Sequence, residues 1–149
     1  KFHIIKRGLP KKIKGLSLLD LGPSSGGLAL EYAHLGAIVT GIEAKKLEIE
    51  QCNYIFEKYG YNGKFFRDDV MNAYKYGSFD IINACGLLYH LPNPVLFLDM
   101  LSVICKRKLI LSTRISPKKG QKMILKKRVL GSANHVCYVS DLPQAFWGG

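Results

Sequence analysis

The sequence has no apolar run of the roughly 18 residues that a membrane-crossing helix needs. Its most apolar stretch, residues 84–89, is followed at once by His90 and soon by Pro92. Cysteines are few, and the four at positions 52, 85, 105 and 137 form no CxxC pair and do not cluster with histidines at metal-ligand spacing. We therefore expect no membrane span, no metal site and no disulfide framework, in a reduced, cytoplasmic setting.

Acidic residues are also scarce, with 11 Asp and Glu against 22 Lys and Arg, which leaves a net charge of +11. This excess predicts attraction to polyanions such as RNA or to acidic ligands, and it carries no information about the fold. The 149 residues, 48% of them hydrophobic, are enough for one globular domain. Because the sequence begins at Lys1 without a methionine or a leader peptide, we expect a trimmed chain or a fragment.

Short apolar runs alternate with segments of helical periodicity, a pattern typical of parallel strands joined by helices. Strands are predicted at 16–21, 38–42, 64–67, 79–84 and 108–113, and helices at 27–35, 45–59 and from Pro94 to about residue 105. We expect Ser24 or Ser25 to cap the first helix and Asn93 to cap the last. The pattern predicts an α/β fold with a doubly wound, mostly parallel sheet.

The turn after the first strand is the first candidate site, because ligands of such sheets bind beyond the carboxyl ends of the strands. Its glycines are at positions 22 and 26. Ser24 stands where the dinucleotide-binding pattern GxGxxG has its middle glycine, which argues against a pyrophosphate ligand. Asp20 would repel a phosphate but accept a hydrogen bond from an ammonium group. With a helix N-terminus beyond it, the turn suits an amino-acid moiety.

Two further acids follow the next strands. Glu43 ends the second strand, where a carboxylate can accept both hydroxyl protons of a ribose. Asp69 and Val70 follow the third strand, where an acid can accept from an adenine amino group and an apolar side chain can pack on the ring. Together the three sites describe S-adenosylmethionine. The plainer alternatives are an ordinary turn at Asp20, a solvated acid at Glu43, and a surface position for one of Asp68 and Asp69.

Three segments of the sequence resemble the class I S-adenosylmethionine-dependent methyltransferases: LLDLGPSSGGLALEYAHLGAIVTGIE, RDDV and FDIINACGLLYHLPNP. The resemblance implies a Rossmann-like sheet in one S-adenosylmethionine-binding domain over 1–149, with a core of about 16–113 and a basic extension over 116–149. Ser24 replaces a glycine of the family, and the family's final antiparallel hairpin has no clear counterpart. We therefore expect the hairpin to be missing or replaced.

Carried onto this sequence, the resemblance also implies which residues contact the cofactor. The methionine end would be held by Asp20, Gly22, Gly26 and the backbone at Pro23 and Ser24, the ribose by Glu43, the adenine by Asp69 and Val70, and the sulfonium side would be lined by Cys85. Residues 86–94 are most similar to methyltransferases that modify the oxygen at the wobble uridine of tRNA. For a hydroxyl acceptor, His90 is the natural proton acceptor and Tyr89 the orienting group.

The sequence leaves the acceptor open between RNA and a small molecule. The lysines after Ser116 form either solvated faces or one RNA-binding surface together with the basic residues near the start of the sequence, Lys6, Arg7, Lys11, Lys12 and Lys14. We predict a methyltransferase that acts on an oxygen or another nucleophile. The alternative is a module that binds S-adenosylmethionine or RNA without catalysis.

Overall fold

The computed structural model describes residues 8–114 and 135–141, and this part of the chain forms one six-stranded sheet with helices on both faces. The strands are β1 (Ser17–Leu21), β2 (Ile38–Glu43), β3 (Lys64–Arg67), β4 (Phe79–Cys85), β5 (Cys105–Arg114) and β6 (His135–Asp141). The helices are α1 (Gly27–His34), α2 (Lys46–Lys58) and α3 (Pro94–Ile104), and two 3-10 helices span Val70–Tyr76 and Leu88–His90. The α/β class is confirmed, and every helix and strand predicted from the sequence is present within three residues of its expected bounds.

The strand order is β3-β2-β1-β4-β5-β6, and β1 to β5 run parallel. The chain first moves outward from β1 to β3 and then returns to the other side of β1 to start β4. The order therefore reverses between β1 and β4, where a crevice opens beyond the carboxyl ends of the strands in sheets of this type. The carboxyl edge of the sheet, meaning the ends of β1 to β4 and the turns that follow, is the place for a ligand.

Alternation along β1 divides the core between the two faces of the sheet. Leu18 packs with residues of α1 and α2, such as Tyr32 and Phe56. Leu19 and Leu21 point to the opposite face, where the core includes Phe97 of α3. Because successive strand residues alternate between faces, Asp20 shares the face of Leu18, and it lies one residue before the end of a strand that is buried from Leu18 onward.

The far edge of the sheet differs from the sequence expectation, because β6 pairs antiparallel with β5. An antiparallel strand therefore stands where we found no clear counterpart to the family's hairpin. The signal was weak because β6 lies beyond a basic stretch of sequence that predicts no regular element. The lysines that follow Ser116, up to Arg128, lie outside the described residues.

The predicted N-cap is found at α3 but not at α1. Asn93 caps α3 as expected, and its side chain accepts a hydrogen bond from the Leu96 N–H. The serine cap of α1 is wrong: its N-cap is Gly26, in the left-handed conformation with φ of 84°, and no side chain bonds there. The serines lie earlier in the turn, where the Ser24 hydroxyl donates to Glu48 instead.

Within residues 8–114 and 135–141, no helix has both the length and the apolar character required to cross a bilayer.

Candidate functional site

The predicted site residues come together at the carboxyl edge of the sheet. Asp20 is level with Gly41 of β2 on one side and with Asn83 of β4 on the other. Glu43, at the end of β2, is level with Arg67 at the end of β3, and its carbonyl accepts from the Asp68 N–H. Asp20 and Glu43 thus lie in the last two residues of β1 and β2, and Asp69 follows the end of the adjacent β3.

Asp20 is buried, with 1% of its surface exposed. Its Oδ1 accepts a hydrogen bond of 2.6 Å from the side-chain amide of Asn83. Its Oδ2 has no hydrogen-bond partner within the described part of the chain. Burial raises the pKa of Asp20 to about 6; the Asn83 hydrogen bond opposes this rise, and the negative charge of Glu43 adds to it. Burying a carboxyl group with one oxygen unpartnered, next to a second acid, raises the free energy of the folded state. A cationic ligand group bound to that oxygen would remove part of this penalty.

The turn between β1 and α1 is held open by its backbone conformation and by its neighbours. Gly22, Ser24 and Gly26 all have positive φ, and Ser24 at 53° is the one residue in the described ranges that does so without being glycine. A Cβ on Gly26 would lie 3.1 Å from the sulfur of Cys52, so this position leaves no room for a side chain. The Cys52 thiol donates to the Ser24 carbonyl, and burial raises the pKa of Cys52 to about 12, which keeps it a donor.

Glu43 braces the same turn, a role that the sequence did not indicate. Its Oε2 accepts from the Ser24 N–H at 3.3 Å and its Oε1 accepts from the Lys45 N–H at 3.1 Å. Each carboxylate oxygen can accept more than one hydrogen bond, so both oxygens keep capacity for ribose hydroxyls. The ribose-binding role of Glu43 stays a prediction.

The acids after β3 divide into two roles. Asp68 is engaged by the Asn72 amide, the Tyr76 hydroxyl and the Asp69 N–H, and these bonds, with Asn72 first, hold the pKa of Asp68 below its usual range. Asp69 is exposed, and its Oδ1 caps the 3-10 helix by accepting from the Met71 N–H. Asp68 therefore serves the local fold, and Asp69 remains the candidate for an adenine amino group.

Val70 lies mostly inside the core and exposes 7% of its surface. It packs in the same cluster as Leu21 and Ile42, which precede the turn and Glu43. Only a small part of Val70 is available for contact with an adenine ring, and that contact also stays a prediction.

The end of β4 contributes a residue that the sequence analysis missed. Asn83 is 1% exposed, and besides its bond to Asp20 its Oδ1 accepts from the Cys85 thiol at 2.9 Å. A polar residue inside the apolar run FDIINAC was the available signal, because buried amides are kept where they have partners.

The segment after β4 carries the predicted catalytic pair. Leu87 places its Cδ1 3.7 Å from where a Cβ on Gly22 would stand, so this segment lies over the turn after β1. Tyr89 and His90 are exposed, and their rings tilt against each other with centroids 4.3 Å apart. The His90 N–H bonds to the Leu87 carbonyl, which fixes the pair to the same edge as Asp20. In residues 8–114 and 135–141, no group of three or more His, Cys, Asp or Glu side chains is arranged to hold a metal ion.

Comparison with known proteins finds a methyltransferase similar to part of this chain. The chain is 35% identical over 86 residues to the ubiquinone biosynthesis O-methyltransferase of Albidiferax ferrireducens, a match over 55% of this chain and 34% of that protein. The chain thus spans about a third of this curated relative.

Solved structures share the fold at lower identity. The magnesium protoporphyrin IX methyltransferase of Synechocystis PCC 6803, in a crystal structure with bound SAM, superposes with a TM-score of 0.71 at 20% identity, covering 93% of this chain and 74% of that one. The [4+2]-cyclase SpnF superposes with a TM-score of 0.69 at 22% identity, covering 81% and 46%. The cyclase shows that this fold hosts more than one kind of chemistry.

The family model described as "Methyltransferase domain" matches residues 18–107, which run from β1 into β5 and include every residue of the candidate site. The chain therefore belongs to the methyltransferase domain family.

Proposed function

We propose that this chain binds S-adenosylmethionine at the carboxyl edge of the sheet and transfers its methyl group to an oxygen of a small molecule. The observation that carries the proposal is the Asp20 carboxyl group, buried at the point where strand order reverses, with one oxygen unpartnered among the described residues. Family membership and the bound SAM in the magnesium protoporphyrin IX methyltransferase support the choice of ligand.

The residues present fit such a ligand at each of its parts. The ligand's ammonium group would donate to Asp20 Oδ2, which relieves the cost of burying this oxygen without a partner. The ligand's carboxylate would accept from N–H groups in the first turn of α1, where no side chain caps the helix. Glu43 would accept the ribose hydroxyls, and Asp69 the adenine amino group.

The sulfonium group supplies an activated methyl, so the protein has to align the acceptor and exclude water. The acceptor's oxygen forms the new bond to the methyl carbon while the carbon–sulfur bond breaks, and the hydroxyl proton has to leave. We assign that proton to His90, because its ring stands at this edge and stacks with Tyr89. Tyr89 would orient the acceptor through its hydroxyl.

The choice of a small molecule rests on the charge of the site and on the relatives. Carboxylates crowd this edge, at Asp20, Glu43, Glu48, Asp68 and Asp69, and they disfavour a polyanion. The exposed Lys11, Lys12 and Lys14 precede β1 and therefore lie toward the opposite edge. Two similar proteins are named for ubiquinone biosynthesis and for magnesium protoporphyrin IX, and both of these compounds are small molecules.

RNA is the second candidate acceptor, favoured by the similarity of residues 86–94 to the wobble-uridine methyltransferases and by the net charge of +11. Much of the basic sequence that would hold RNA, including Lys6, Arg7 and the lysines after Ser116, lies outside the described residues. The turnover experiment therefore has to include both small molecules and RNA as acceptors.

Within the part of the chain that the structure describes, Cys52 and Cys105 are free thiols. Free thiols persist in reducing compartments, which supports our placement of the protein in the cytoplasm.

The test is calorimetric titration with S-adenosylmethionine, S-adenosylhomocysteine and 5′-methylthioadenosine, which lacks the amino-acid part. We expect the first two to bind at least about tenfold more tightly than the third, because only they engage Asp20. Equal affinities would refute the assignment of Asp20, and no binding of any of the three would refute the proposal.

Turnover is then tested by mass spectrometry, with a gain of one methyl group as the readout. The acceptors are a phenol, a catechol, a carboxylic acid and a tRNA transcript, each incubated with S-adenosylmethionine and the protein. Methylation of a small hydroxyl compound supports the proposal. Methylation of tRNA alone favours the second candidate, and cofactor binding with no methylated product favours a non-catalytic module.

A further inference from the structure

Asn83 joins two residues of the candidate site and belongs to neither the sequence-predicted site nor the proposed chemistry. It lies on β4, level with Asp20 on β1, and only 1% of its surface is exposed. The Asp20 carboxylate can only accept hydrogen bonds, so the Asn83 NH₂ group faces it, at 2.6 Å from Oδ1. The carbonyl oxygen of the same amide takes the hydrogen of the Cys85 thiol at 2.9 Å.

This arrangement fixes the orientation of the amide. If the Asn83 amide turned over, its oxygen would face the oxygen of the Asp20 carboxylate, and the hydrogen bond between these two side chains would be lost. Asn83 therefore donates to one particular oxygen of Asp20. The other oxygen is left free to accept from a ligand.

The surroundings of Asp20 make this donor important. Glu43 is the one charged group in the described part of the chain that acts on Asp20, and it is negative. The Cys52 thiol of α2, which senses the charge of Asp20, is itself neutral because burial raises its pKa. Burial and Glu43 both favour the protonated, uncharged form of Asp20, and the Asn83 hydrogen bond is what opposes them.

We propose, on the basis of the function proposed above, that Asn83 is a positioning residue that selects ligands with an ammonium group by keeping Asp20 a charged hydrogen-bond acceptor. Without the Asn83 donor, Asp20 would hold its own proton near neutral pH. A protonated Asp20 presents a donor and no charge, so it would lose its preference for a cationic group.

Two ligands isolate the ammonium group: S-adenosylhomocysteine and its desamino analogue, which differ in that group alone. The variant is Asn83→Leu, which keeps the size of the side chain and removes both hydrogen bonds. The matched control is Asn72→Leu, because Asn72 also donates its amide to an aspartate at this edge, to Asp68 at 2.8 Å. Asn83→Ala is the second truncation, in case leucine does not fit the sheet.

We expect the parent chain to prefer S-adenosylhomocysteine over the desamino analogue by about tenfold or more. At pH 7 the preference in Asn83→Leu should fall by about twofold or more, because the charged fraction of Asp20 falls, and in Asn72→Leu it should stay at the parental value. A parental preference in both Asn83 variants would overturn the inference.

A second readout needs no ligand: the ¹³C chemical shift of the Asp20 carboxyl group, followed against pH. The pKa of Asp20 should be about one unit higher, or more, in Asn83→Leu than in the parent, and unchanged in Asn72→Leu. An unchanged pKa in the Asn83 variants would overturn the inference even if the ligands bind. A raised pKa in a chain that binds neither ligand would instead refute the proposed function and leave the coupling between Asn83 and Asp20 in place.

Discussion

Asp20 and Asp80 lie on neighbouring central strands but at opposite edges of the sheet. Their carboxyl groups differ in how many hydrogen-bond and ion-pair partners they have. At the amino edge, Asp80 Oδ2 accepts from both the N–H and the hydroxyl of Ser17, and its Oδ1 pairs with Arg107 at 3.0 Å. At the carboxyl edge, Asp20 has a single partner and a second acid nearby.

The two environments shift the two carboxyl groups in opposite directions. Burial raises the pKa of both, but at Asp80 the Ser17 hydrogen bonds and the Arg107 charge outweigh burial and bring the pKa below its usual value. At Asp20 burial prevails, and the pKa rises to about 6. The carboxyl group at the amino edge thus has partners for both oxygens, whereas the one at the carboxyl edge has an oxygen without a partner among the described residues, as expected of a ligand site.

The largest effect should come from Asp20→Asn, which removes the charge at the carboxyl edge and keeps the shape. We expect S-adenosylmethionine to bind about 100-fold more weakly, because its ammonium group loses a buried charged acceptor. Calorimetry measures the change, and affinity within threefold of the parent would contradict the site.

The same variant has a signature in stability. Since the pKa of Asp20 is higher in the folded state than the ordinary 3.8, the folded state binds its proton more tightly. The parent's free energy of unfolding should therefore decline as pH rises from about 4 to about 6, by about 3 kcal/mol at most. Asp20→Asn should lack this decline in urea titrations across that range.

His90→Ala probes the chemistry at the same edge. If His90 accepts the proton, kcat should fall about 100-fold while the affinity for S-adenosylmethionine stays within twofold. Tyr89→Phe is the matched variant, since it keeps the ring beside His90 and removes only the hydroxyl. Full turnover in His90→Ala would remove this residue as the base.

Asp80→Asn should show the reverse pattern: a loss of stability without a loss of binding. We expect the free energy of unfolding at pH 7 to fall by about 1 to 2 kcal/mol, because the Arg107 pair and the charged hydrogen bonds from Ser17 weaken. The pKa of Asp80 is depressed in the fold, so its contribution is present above the ordinary value and is lost as the pH falls below about 4. Weaker cofactor binding in this variant would break the division between the two edges.

A smaller effect on binding than that of Asp20→Asn should come from Glu43→Ala, which removes a predicted ribose contact, the bond to Ser24 in the turn and the bond to the Lys45 N–H. We expect about a tenfold loss of affinity for S-adenosylmethionine, with Glu43→Gln intermediate because its carbonyl oxygen still accepts. Unchanged affinity in both variants would show that Glu43 serves the turn alone.

The sequence predicted the sheet well because its strands are short apolar runs bounded by turn residues. Residues 16–21 form such a run, and the strand found there is Ser17–Leu21. The glycines at 22, 26, 36 and 60 all have positive φ at the ends of these elements, where the sequence placed its turns. Local patterns of this kind require no knowledge of distant contacts.

The parts of the site that the sequence missed depend on contacts across strands. Asn83 matters because Asp20 is level with it, 63 residues away in the chain. Glu43 accepts a hydrogen bond from the Ser24 N–H because the pairing of β1 with β2 brings the two residues together. Asp68 accepts a hydrogen bond from Tyr76, which lies on a 3-10 helix that the sequence periodicity did not predict. The residue types suggested acids at the edge, and only the fold shows that Asp68 is engaged by its neighbours whereas Asp20 Oδ2 has no partner among the described residues.

The strand β3, which lies at one end of the strand order, affects how the protein behaves in concentrated solution. β3 is four residues long, and it begins with Lys64 and ends with Arg67, both exposed. Two molecules that tried to continue the sheet through this strand would bring like charges together, over a stretch too short to repay the contact. Self-association by strand addition is thereby discouraged at the β3 edge of the sheet.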